Sequence, residues 1–114
     1  MAVVFKIVPR QLWLQAETTG TFDGAPVDLA DGFIHFSAAD QVAETAHKHF
    51  SGEEDLLLVA VEAEALGEAM KWEPSRGGAL FPHLYAKLDP KAALWVKPLP
   101  LGTDGVHQFP DLER

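Results

Sequence analysis

Leu56-Leu57-Leu58-Val59-Ala60-Val61 is the longest strongly apolar run in the chain, and its reading decides the fold. A continuous apolar run of this kind suits a central strand covered on both faces. It reaches only about a third of the ~18 residues a membrane span needs. Immediately before it lies the acidic turn Glu53-Glu54-Asp55, and before that Ser51-Gly52 stops a helix. Ala39, Val42, Ala43, Ala46 and Phe50, spaced three and four apart, make one apolar face of that helix. Ser37 followed by Asp40 is a capping-box-like start for it, with Asp in the usual place of Glu. On the other side, Ala63 to Met70 is predicted as a short helix weakened by Gly67.

Further out, Val3 to Val8 is rich in β-branched residues and stops at Pro9, which predicts a first strand. Pro9 opens a short helix through Trp13 and Ala16, where its missing N–H is not needed. Residues 17–32 are dense in Thr, Gly, Asp and Pro and are read as a long loop, with Phe33 to Phe36 a short strand after it. In the second half, Trp72-Glu73-Pro74 leads into a glycine loop at Ser75 to Gly78. A strand is expected from Phe81 to about Leu88 and another from Ala93 to Val96, followed by a turn-rich tail from Gly102. The pattern is a single α+β domain over 1–114, with five or six short strands and two or three short helices.

Composition narrows the chemistry. The 114 residues leave room for one core and not two. Nine Lys and Arg stand against seventeen Asp and Glu, a formal charge of −8 that argues against bulk binding of nucleic acid or of an anionic membrane. No cysteine is present, which removes disulfides, thiolate nucleophiles and zinc–thiolate sites. The start Met1-Ala-Val-Val-Phe-Lys6 carries no signal-peptide pattern, so a soluble cytoplasmic protein is expected. Residues 71–97 hold five bases against two acids, a local excess compatible with an anionic small ligand.

Two segments concentrate polar groups among large apolar ones. In Asp31-Gly-Phe-Ile-His35-Phe-Ser37, strand alternation puts Ile34 and Phe36 on one face and Phe33, His35 and Ser37 on the other. Ser37 at a helix start would favour an anion. In Glu73-Pro-Ser-Arg76-Gly-Gly and Phe81-Pro-His83-Leu-Tyr85, Arg76 suits a bidentate phosphate or carboxylate clamp, and His83 and Tyr85 share a strand face. His35, Ser37, Glu73, Arg76, His83 and Tyr85 are therefore expected to line one pocket. His47 and His49, two apart on a helix, cannot form a metal pair, and His107 is read as solvated. A metal-dependent hydrolase using His35, His83 and Glu73 is a rival, although no short metal-binding spacing supports it and no metal site is assigned.

These segments, together with Phe5-Lys6-Ile7, Trp13, Gly20-Thr21-Phe22, Leu56-Leu57-Leu58-Val59 and Trp72-Glu73, resemble the bacterial domain of unknown function (DUF) 952 family over nearly the whole chain. Phe22 stands where tyrosine is expected, and Ala86 where glycine commonly follows. The family looks like a compact relative of the ADP-ribosyltransferase fold, so the resemblance implies a split pair of small mixed or antiparallel sheets around a dinucleotide-type cleft. It further implies that His35 hydrogen-bonds a ribose and that either Glu73 or His83 completes the site. On that reading Arg76 and Ser37 meet phosphate oxygens, Tyr85 contributes to binding, and NAD is a candidate substrate rather than a resident cofactor. The alternative is a noncatalytic module that recognises a small metabolite in the same cleft.

Overall fold

The computed structural model describes residues 2–112, and the side chain of Arg76 lies outside that description. The order is β1 (Val3–Pro9), α1 (Arg10–Thr19), α2 (Pro26–Asp31), β2 (Ile34–His35), β3 (Ser37–Ala38), α3 (Val42–His49), β4 (Leu56–Glu62), β5 (Met70–Pro74), β6 (Leu80–Leu84) and β7 (Ala93–Leu99). Short 3₁₀ turns cover Ala63–Ala69, Arg76–Gly78 and Pro90–Ala92. Two antiparallel sheets result, one of four strands in the order β3-β1-β4-β7 and one of three in the order β2-β6-β5.

β4 is the central strand that its apolar run predicts. Leu56 to Val61 are all buried, and alternate residues serve two cores. Leu57, Val59 and Val61 join Val4, Val8, Trp13, Phe22, Ile34 and Leu84 in the core between the two sheets. Leu56, Leu58 and Ala60 join Phe5, Ile7, Val42, Ala46 and Leu99 on the opposite side, under α3. In β1 the alternation that turns Val4 and Val8 toward the three-stranded sheet turns Lys6 the same way.

Five expectations are corrected. Residues 17–32 are not one loop, because Pro26 at the first helical turn and Asp28 at the third position nucleate α2 within them. The helix expected from Ser37 begins at Val42 instead. Ser37 is a strand residue paired with Phe5, because the chain bends at Phe36 from the small sheet into the large one. Trp72-Glu73-Pro74 is strand rather than a lead-in to a loop, pairing with Pro82, Phe81 and Leu80. β6 ends at Leu84, short of the expected Leu88. His107 is buried, not solvated, and bonds through Nε2 to the Glu53 carbonyl at 2.9 Å, tying the tail to the turn before β4.

Candidate functional site: two carboxylate-backed histidines

Strand pairing brings the two distant segments together. His35 of β2 lies opposite His83 of β6, which in turn pairs with Lys71 of β5. Paired residues share a face, and so do residues two apart. Ile34, Leu84 and Met70 therefore turn into the core, while His35, His83, Glu73 and Tyr85 turn to the other face. The two imidazole rings meet edge-on with centroids 5.6 Å apart. Phe33 packs against both, at 4.1 Å from His83 and 4.6 Å from His35, and reaches Tyr85 at 5.2 Å.

Each histidine has a carboxylate on Nδ1. His83 Nδ1 lies 2.8 Å from Glu73 Oε1, and the Tyr85 hydroxyl donates to the same oxygen at 2.7 Å. These bonds, Tyr85 first and His83 second, hold the Glu73 carboxyl below the usual range, while the bond to Glu73 raises the Tyr85 phenol. His35 Nδ1 lies 2.6 Å from Asp28 Oδ1, and its Nε2 lies 2.9 Å from Asp31 Oδ2. A neutral imidazole has one N–H, so only the doubly protonated ring donates to both carboxylates at once.

Asp28 is the hub. It is 2% exposed and accepts from Lys6 Nζ, from the His35 backbone N–H and from the Ala25 N–H, besides the His35 ring. Burial alone would raise its carboxyl. Hydrogen bonding from His35 and the adjacent Lys6 ammonium overcome that and hold it at about 2. Lys6 is itself 4% exposed, and burial lowers its proton affinity against the opposing pull of Asp28. Gly24 makes the close approach possible, since a Cβ there would stand 2.8 Å from Asp28 Cβ.

Of the six residues expected in one pocket, His35, Glu73, His83 and Tyr85 come together. Ser37 does not join them, because its hydroxyl meets Thr45 Oγ1 of α3 at 2.9 Å. The Arg76 side chain lies outside the described residues. A cleft of about 290 Å³ runs beside the cluster, lined by Asp28, Phe33, Tyr85, Ala86 and Lys87 among others but not by His35, Glu73 or His83. Phe22, which stands where tyrosine is expected, packs in the core 5.7 Å from Trp13. Among the described residues no three His, Asp or Glu side chains are arranged to hold a metal. Glu73 Oε1 and His83 Nδ1 point at each other, not at a common centre. Asp28, Lys6 and Asp31 were missed by sequence reasoning, and Phe33 was placed on the face of His35 without a role. The one available signal was Lys6, a charge in the middle of an apolar strand.

No helix among the described residues is long and apolar enough to cross a membrane. No curated protein matches the chain. Among solved structures, the crystal structure of protein CC0527 from Caulobacter crescentus is 53% identical, with a TM-score of 0.90 and 93% of each chain covered. A double mutant of the same protein is similar at 51% identity and a TM-score of 0.89, again with 93% of each chain covered. The solution structure of CC0527 gives 53% identity and 0.85, covering 95% of this chain and 93% of that one. The family model described as "Protein of unknown function (DUF952)" matches residues 7–96, well over half the chain, and the protein therefore belongs to the DUF952 family.

Proposed function

We propose that the protein is an ADP-ribosyltransferase-like domain that binds NAD or another phosphorylated ribose ligand and acts at the ribose. The observation that carries this reading is the facing pair His35 and His83, each backed by a carboxylate and set beside a cleft of about 290 Å³. The split antiparallel sheets are consistent with it. Departure of a nitrogen base from C1 of a ribose leaves an oxocarbenium-like sugar, which a fixed carboxylate steadies. Glu73 suits that role, since its hydrogen bonds favour the anion over the acid. His83 then holds Glu73 in place, so the two act as one unit rather than as competitors for the role. His35 is the candidate for a ribose hydroxyl. Ser37 no longer serves as a phosphate contact, and Lys87 at the cleft is a better-placed cation than Ser37 is a donor.

A noncatalytic metabolite-binding module is the second reading. It is favoured by the completeness of the hydrogen bonding, since both His35 ring nitrogens and Glu73 Oε1 already have partners.

Thermal denaturation with NAD, ADP-ribose and ribose 5-phosphate separates the readings. At a hundredfold excess over Kd, a ligand of the native state adds about 2.7 kcal/mol. In a domain of this size that is a rise on the order of ten degrees. His35→Ala is expected to abolish the rise, and Glu73→Gln to keep it while losing turnover. A rise with neutral sugars or organic acids, and none with nucleotides, discards the transferase reading in favour of the binding module.

A further inference from the structure

The three residues Lys6, Asp28 and His35 come from β1, α2 and β2, and they join the four-stranded sheet to the three-stranded one through a single carboxylate. Lys6 Nζ stands 3.0 Å from Asp28 Oδ1 and 2.9 Å from Oδ2. Oδ1 also accepts the His35 backbone N–H at 3.1 Å and faces Nδ1 at 2.6 Å, and Oδ2 accepts the Ala25 N–H at 2.7 Å. We propose that Lys6 is a positioning residue for His35: its buried ammonium keeps Asp28 an anion in the core, and that anion holds the His35 ring with its Nδ1 proton inward and Nε2 outward.

The argument is one of acceptor capacity. A carboxylate this deeply buried neutralises unless a cation accompanies it. Neutral Asp28 would carry a proton on one oxygen, and that oxygen would keep only part of its acceptor capacity. The present contacts all come from donors, and Oδ1 takes three of them, so a proton on Oδ1 has to displace or reverse one. The least costly contact to reverse is the one to Nδ1. The imidazole alone can change from donor to acceptor there, by carrying its proton on Nε2 instead. Loss of the Lys6 charge therefore alters the face that His35 presents, without Lys6 touching anything the site would bind. Lysine suits the task because its compact ammonium, with three donors, reaches both carboxylate oxygens. The other groups facing His35 are Asp31 of α2, on Nε2, and His83 of β6, backed by Glu73 of β5.

This inference goes beyond the proposed function and holds whatever the ligand is. Long-range ¹H–¹⁵N correlation on the ligand-free protein reads which His35 nitrogen carries the proton, and its pH titration reads when the ring charges. In the wild type the neutral ring is expected to be protonated at Nδ1. A neutral ring protonated at Nε2 overturns the proposal before any variant is made. In Lys6→Met, the neutral His35 ring is expected to carry its proton on Nε2. Lys6→Arg, which keeps the charge, is expected to retain the wild-type tautomer. A folded Lys6→Met with an unchanged tautomer overturns the proposal, and so does a Lys6→Arg that switches it. Where Lys6→Met does not fold, the wild-type and Lys6→Arg tautomers decide. None of these readings needs a ligand, so absence of nucleotide binding would defeat the proposed function and leave this inference standing.

Discussion

Asp28 carries more hydrogen bonds than any strand residue of the site and shows almost no surface to water. Removing its charge leaves Lys6 buried without a counter-ion, and breaking a buried pair from one side costs about 3–5 kcal/mol. Asp28→Asn is expected to lower the urea midpoint accordingly, and a loss below about 1 kcal/mol would show that Lys6 escapes to solvent. Tyr85 presents the contrasting case at the exposed end of the cluster. Tyr85→Phe deletes the stronger of the two bonds that depress Glu73, so the Glu73 carboxyl is expected to titrate at higher pH, read from its ¹³C shift. An unmoved carboxyl would place the depression on His83 alone. At this scale the sequence was half legible. Alternation along one strand was enough to align His83 with Tyr85, but Glu73 was read before a loop, and its place on their face comes from strand pairing. The Asp28 hub was not legible, because its partners lie 22 and 7 residues away on different elements. Nothing local in a sequence states which carboxylate will meet a lone lysine from another strand.

Elements with a clear period were read correctly, and those set by bends were not. β4 follows from an unbroken apolar run and β1 from a β-branched stretch that stops at Pro9, and the apolar spacing that marked α3 is met by buried Val42 and Ala46. β3 was read as the start of a helix, because Ser37 and Asp40 make a capping-box-like pair, whereas the chain changes sheets at Phe36 and pairs Ser37 with Phe5. That bend is why Ser37, two residues from His35, lies in the other sheet. α2 hid among turn formers because a six-residue helix has too little length to display a period. The segment after β4 is a 3₁₀ turn interrupted at Gly67, whose φ of 65° and ψ of −148° lie where a Cβ is strongly disfavoured. Gly67→Ala is expected to destabilise the protein by about 1–3 kcal/mol through backbone strain alone, since no neighbouring atom crowds the added methyl. A melting temperature equal to wild type would mean that the turn relaxes into another conformation.

Over the whole molecule, an α+β chain of the expected class closes its two sheets on an apolar core that contains one charged cluster. The pH dependence of stability follows from that cluster. The Asp28 carboxyl lies at about 2 in the folded chain against an ordinary 3.8. For a depressed acid, the stabilising share is fully present above the unfolded value and is lost as pH falls through the folded one. The difference corresponds to about 2 kcal/mol, offset in part by the cost of burying Lys6. Urea midpoints are expected to fall between about pH 4 and about pH 2, and Asp28→Asn to flatten that fall. A wild-type slope no steeper than the variant's would assign acid unfolding to other carboxylates. The cluster also bears on how such a chain diverges. A lineage drifting under selection for folding alone would still hold Lys6 and Asp28, because losing either strands the other in the core. Their persistence among distant descendants would therefore say nothing about chemistry. Glu73 and Tyr85 stand at the water's edge, where drift is cheap, and only a ligand would give a lineage reason to keep them.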